Sequence, residues 1–95
     1  MPAYLIVNVE VNNPTRYQEY LRQVTPTVEA YGGRYVVRGG RTEVLEGNWI
    51  PRRIVVIEFS DAARARAWWE SAEYASAKKI RQECAKTEMI IAEGM

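Results

Sequence analysis

A ferredoxin-like α+β fold, in the order β-α-β-β-α-β, is what this 95-residue sequence predicts. An alternating apolar segment opens the chain, each of two helical stripes follows a strand, and β-branched segments lie between those stripes. Right-handed crossovers then place a four-stranded antiparallel sheet in the order 4-1-3-2, with both helices on one face. Domains commonly run about 50–250 residues, so the whole of 1–95 reads as one.

The first strand is Ala3 to Val11. Leu5, Val7, Val9 and Val11 point one way and Tyr4, Ile6, Asn8 and Glu10 the other, giving one apolar and one mixed face. Asn13 suits a helix N-cap and Pro14 the first helical position. Tyr17, Tyr20, Leu21, Val24, Val28 and Tyr31 recur at helical spacing. Pro26 should kink this helix or split its last turn, and Gly32-Gly33 ends it.

Arg34 to Arg38 reads as a strand, with Gly39-Gly40 as a bulge or bend and Thr42 to Glu46 as its continuation. Gly47 to Pro51 is then a hairpin loop, and Arg52 to Phe59 the returning strand. Ser60 or Asp61 caps a helix carrying Trp68 and Trp69. Ser71 is a fresh cap, so this helix breaks near Glu70 and restarts through Tyr74, Ala77, Ile80 and Cys84. Glu88 to Glu93 is a last short strand.

Helices on one face leave the other bare. Ile6, Val36, Ile54 and Val56 or their neighbours cannot all sit in water cheaply, at about 25 cal/mol per Å2 of apolar surface. A second copy of the sheet is the simplest cover, so a two-fold homodimer is expected.

Composition excludes several function classes. Thirteen Lys and Arg against twelve Asp and Glu leave no basic excess, which argues against nucleic acid as the main partner. Without histidine, the commonest general base and metal ligand is missing, and no other ligand cluster has a recognisable spacing. Neither metal nor cofactor is expected. Cys84 is the only cysteine, so no intrachain disulfide forms. With no apolar run near ~18 residues and no leader-like N-terminus, a cytoplasmic protein with no membrane partner is expected.

Tyr31-Gly32-Gly33-Arg34-Tyr35, Arg38-Gly39-Gly40, Leu45-Glu46-Gly47 with Trp49, Glu58-Phe59, Trp68-Trp69, Ser71-Ala72-Glu73-Tyr74 and Arg81 together resemble the uncharacterised family catalogued as domain of unknown function 1330. The resemblance runs from about Ala3 to Gly94. It implies a dimeric α/β-barrel, in which two ferredoxin-like sheets face each other around a cavity. That superfamily holds cofactor-free monooxygenases, isomerases, haem proteins and stress-response proteins, so the resemblance implies no single activity. The absence of histidine excludes histidine-ligated haem.

The candidate site residues come from the chain itself. Asn8 and Glu58 lie on the central strands; Glu58 is a weak candidate for a general base and Asn8 for a ligand donor. The bland alternative is a polar pair, for example Glu58 with Arg38, as buried charges are normally paired. Arg38 could clamp a carboxylate or serve as an ion-pair partner. Arg81 shares a stripe with Tyr74, Ala77 and Cys84, so its guanidinium needs a carboxylate, helix-end carbonyls or an anionic ligand, unless only its stem is buried. Tyr35 and Tyr74 offer hydroxyls to a pocket, or are core aromatics with satisfied hydroxyls. Trp68 and Trp69 lie about 100° apart on a helix, so one is core and the other sits at an interface or pocket mouth. Trp49 fits a subunit contact, and Cys84 a buried structural thiol.

Three functions fit these residues. The first is a protein that binds a small anionic or aromatic metabolite, in a cavity between sheet and helices or between subunits. The second is a cofactor-independent enzyme, monooxygenase- or isomerase-like, acting on small organic acids or aromatics. The third is a dimerising module without ligand.

Overall fold

Alternation in the first segment becomes strand β1 (Ala3–Val11), with Ala3, Leu5, Val7 and Val9 buried on one face. The computed structural model describes residues 1–95. Helix α1 (Pro14–Ala30) follows, with the Asn13 side chain accepting from the Arg16 N–H and Pro14 in its first turn. Its end is a Schellman turn. Gly32, at φ 75°, donates to the Glu29 carbonyl and Gly33 to that of Val28. Strands β2 (Arg34–Arg38) and β3 (Ile54–Phe59), helices α2 (Ala62–Glu70) and α3 (Ala72–Cys84), and strand β4 (Ala85–Glu93) complete the chain.

The sheet is antiparallel in the order β2-β3-β1-β4, the predicted order. Tyr17, Tyr20, Val24 and Val28 of α1, Trp68 of α2, and Tyr74, Ala77 and Ile80 of α3 bury against Leu5, Val7, Val9, Ile57 and Phe59. The helix break falls at Ser71, which serves both helices: its hydroxyl donates to the Trp68 carbonyl and accepts from the Tyr74 N–H.

Four expectations are corrected. Pro26 does not split α1, which runs unbroken to Ala30. Pro26 and Arg22 both lie on the exposed side, so water can reach the Arg22 carbonyl that loses its helical partner. Thr42 to Glu46 is no strand: the chain leaves the sheet at Gly39 (φ 73°) and returns only at Ile54, so residues 39–53 are one long connection. Of the two alternatives at Gly39-Gly40, Gly39 is the bend, and the bulge lies at Val36, since Tyr35 pairs with Ile57 and Val37 with Val56. Finally, β3 starts at Ile54 rather than Arg52, and β4 at Ala85 rather than Glu88.

Candidate functional site

The bulge at Val36 decides which arginine faces where. In a regular strand Arg34 and Arg38 would share a face. One extra residue reverses the phase between them. Arg34 stands opposite Glu58 on the helix-free face, and Arg38 stands opposite Val55 on the helix side. The expected Glu58–Arg38 pair is therefore absent. Glu58 instead accepts from Arg34 at 2.6 Å and from the Tyr4 hydroxyl at 3.1 Å. Those two bonds hold its carboxyl below the usual carboxylate range, Arg34 contributing more. A carboxylate so stabilised is a weak base.

On the helix side a narrow cleft opens between α1 and the sheet. Fifteen residues line it, twelve of them apolar, and the other three are Arg38, Arg53 and Arg81. No carboxylate, histidine or amide side chain is among them. The free volume is about 20 Å3, room for about one water. Arg38 is exposed and Arg53 half-buried, so these long side chains form the rim.

Each arginine is held differently. Arg38 lies 4.1 Å above the Tyr35 ring and donates to Thr25 Oγ1 at 2.6 Å. Arg53 lies 5.9 Å from the centre of the Tyr17 ring, and its Nε is buried without a partner. Arg81 is only 5% exposed. Its Nε donates to the Tyr74 hydroxyl at 3.1 Å, which in turn lies 3.1 Å from the Tyr20 hydroxyl. The molecule has three ion pairs, Arg16–Glu83, Arg22–Glu19 and Arg34–Glu58, and none involves a cleft arginine. Aromatic rings supply the walls. Tyr17 and Tyr20 are 5.3 Å apart, and Trp68 stacks on Tyr74 at 4.0 Å. Burial raises the hydroxyl pKa values of Tyr17, Tyr20 and Tyr35, keeping them protonated as donors.

The structure therefore divides the predicted site residues. Tyr35, Arg38, Trp68 and Arg81 line the cleft, and Tyr74 sits fully buried behind it. The Trp68 Nε1 is engaged by Thr27 Oγ1 at 3.0 Å, so that tryptophan offers the cleft only its ring. Asn8 and Glu58 are on the opposite face of the sheet. Asn8 accepts from the Arg52 N–H at 3.0 Å, fastening the end of the long connection to β1. Of Trp68 and Trp69, Trp69 is the partly exposed one. Cys84 is buried, and burial raises its thiol pKa, as fits a structural thiol. Nowhere do three Cys, Asp or Glu side chains converge as metal ligands would.

Sequence reasoning missed Arg53, Tyr17 and Tyr20. Arg53 was detectable, because it continues the alternation of Val55, Ile57 and Phe59 toward the helices. The two tyrosines read as core, which they are, while also lining the cleft.

Solved structures share the fold at low identity. A protein of unknown function from Rhodopseudomonas palustris is 21% identical, with a TM-score of 0.78 over 99% of this chain and 82% of its own. A dimeric ferredoxin-like protein of unknown function from Jannaschia sp. is 13% identical, with a TM-score of 0.72 over 99% of this chain and all (100%) of its own. SnoaB, a cofactor-independent oxygenase from Streptomyces nogalater, is 11% identical, with a TM-score of 0.61 over 99% and 93%. No curated protein matches the chain. The match that spans nearly all of it, residues 2–95, is to a family model, and the chain belongs to that family, Domain of unknown function (DUF1330).

Proposed function

We propose that this protein binds a small organic anion, aromatic or otherwise planar, in the cleft between α1 and the sheet, and does so as a homodimer. One observation carries the binding reading: every charged residue lining the cleft is an arginine, and none has a carboxylate partner. Arg81 is buried, and a buried charge without a counter-charge is costly, so such a site normally has a partner ion. An anionic ligand supplies one. Arginine also suits the task geometrically, since its planar fork matches a carboxylate bidentately.

The dimer reading rests on the opposite face. Ile90 and Val36 are exposed, and Ile6, Ile54 and Val56 are only half-buried. Leu45, Trp49 and Ile50 project from the long connection, 85%, 60% and 78% exposed. Loops of this length without secondary structure are uncommon unless they serve binding or a contact. The Jannaschia relative, described as dimeric, has the same fold.

A dimerising module without ligand is the competing reading, favoured by how little free volume the cleft has. A thermal-shift panel of benzoate, phenylacetate, short aliphatic dicarboxylates and neutral aromatic alcohols separates the two. At about a hundred times the dissociation constant, a ligand adds about 2.7 kcal/mol of stability. Stabilisation by the carboxylates and not the alcohols supports the anion cleft. A flat response to the whole panel removes it and leaves the module.

A further inference from the structure

We infer that the Tyr20 hydroxyl is a ligand-recognising group of the cleft, held as a hydrogen-bond donor by Arg81 acting through Tyr74, so that a weak organic acid binds as its anion. This rests on reading the cleft as an anion site.

The direction of the hydrogen-bond chain follows from its members. A guanidinium Nε carries a proton and cannot accept. It lies 3.1 Å from the Tyr74 hydroxyl, whose oxygen must accept there. Tyr74 is 0% exposed, and the only other polar atom bonded to its hydroxyl is that of Tyr20, at 3.1 Å. If Tyr20 donated to Tyr74, the Tyr74 proton would be buried with no acceptor, which is unfavourable. Tyr74 therefore donates to Tyr20. The Tyr20 oxygen accepts, and its own proton has no protein acceptor. Tyr20 lines the cleft, so that proton is available to a guest.

The charge on Arg81 heads the chain, and each link polarises the next. Burial holds Tyr20 protonated well above the ordinary tyrosine range, so it donates rather than acting as a base. The other polar groups lining the space are cations or neutral hydroxyls, and none is an anion. Tyr17 contributes from α1, Tyr35 and Arg38 from β2, Arg53 from the connection before β3 and Arg81 from α3, with no ionisable side chain from β1, α2 or β4. A neutral phenol or carboxylic acid brings a proton for which the lining side chains offer only tyrosine hydroxyl oxygens, weaker acceptors than the carboxylate, amide or histidine that the cleft lacks. The anion brings lone pairs to a set of donors. The bound acid should therefore ionise at lower pH than it does in water.

The probe is 4-nitrophenol, whose anion absorbs visible light and whose neutral form does not, with benzoate as an anion throughout the range. Bound 4-nitrophenol should show a larger phenolate fraction than in buffer of the same pH. Tyr20→Phe should lower that fraction and weaken binding by roughly tenfold to a hundredfold, as for loss of a hydrogen bond to a charged group. Should this variant fold poorly, the wild-type protein labelled at the tyrosine Cζ carbons reads the same contact, and the Tyr20 signal moves when the probe saturates. If benzoate binds but 4-nitrophenol fails to bind or keeps its buffer phenolate fraction, the assignment of Tyr20 is overturned and the anion cleft stands. An unchanged fraction in Tyr20→Phe, or a static Tyr20 signal, overturns it too. Failure of benzoate to bind removes the cleft reading itself.

Discussion

Arg81 sits on a helix face it shares with Tyr74, Ala77 and Cys84, 5% exposed, with one neutral hydroxyl as its hydrogen-bond partner. Replacing buried ionic groups by apolar residues of similar volume is often neutral or stabilising by about 1–4 kcal/mol. Arg81→Met should therefore hold or raise the melting temperature and at the same time abolish the rise produced by benzoate; a scan with and without benzoate reads both. A purely structural role predicts a loss of stability instead. Gly39 belongs to the same site by a different route. A Cβ there would overlap the Arg53 guanidinium, and its φ of 73° is one that side-chain-bearing residues rarely adopt. Gly39→Ala should cost about 1–3 kcal/mol from backbone strain and weaken benzoate binding as Arg53 is displaced. Urea unfolding and calorimetric titration measure the two effects separately.

Among the elements, the α2–α3 junction depends most on a single side chain. Ser71 ends one helix and caps the next, is 9% exposed, and makes both bonds with its hydroxyl. Ser71→Ala should cost about 1–2 kcal/mol, and for a domain of this size each kcal/mol lowers the melting temperature by roughly 4–8 °C. Ser71→Thr, which keeps the hydroxyl, should recover most of it. Strand β2 shows how an element-level irregularity redirects side chains. Its bulge leaves Arg34 to Glu58 and sends Arg38 to the cleft, so two like residues on one short strand serve opposite faces. The capping and turn residues of α1, α2 and α3 were readable in the sequence because they act within a few positions of themselves. The bulge was not, because its register is set by pairing with β3, and no residue of Arg34–Arg38 is a turn former that would mark it.

The whole molecule is a slab, 36 × 34 × 16 Å in extent, one layer of helices on one sheet. Two layers leave the far side of the sheet bare, and that side is where the second copy is expected. Ile90 is 61% exposed, so Ile90→Glu should leave the fold intact by circular dichroism while converting a dimer to a monomer by light scattering at micromolar concentration. A wild-type protein that is already monomeric would remove the dimer from the proposal. Stability against pH is also a property of the whole core. Burial raises the folded-state pKa values of Tyr17, Tyr20 and Tyr35 above the unfolded value of about 10. Below that pH their contribution is fully present. Above it the unfolded chain releases protons that the folded chain retains, so stability falls as pH rises toward the folded values. Urea midpoints should be level from neutrality to about pH 9 and decline above about pH 10, with tyrosinate absorbance appearing together with unfolding.

Period, caps and turn residues by themselves determined the element order, the helix break at Ser71, the apolar face of β1 and the strand order, because each is a local preference or a chirality rule. Arg81 was also visible, as a charge out of place in an apolar stripe. What only the tertiary structure decided was company. Glu58 is neutralised because its register partner is Arg34, Arg38 turned to the helix side because a bulge reversed its phase, and the Tyr20 hydroxyl lies 3.1 Å from that of Tyr74, which comes from another helix. Side-chain direction on a strand inverts with a single inserted residue, and the sense of a hydrogen bond depends on what lies across a gap of 3.1 Å; neither is encoded near the residue it governs.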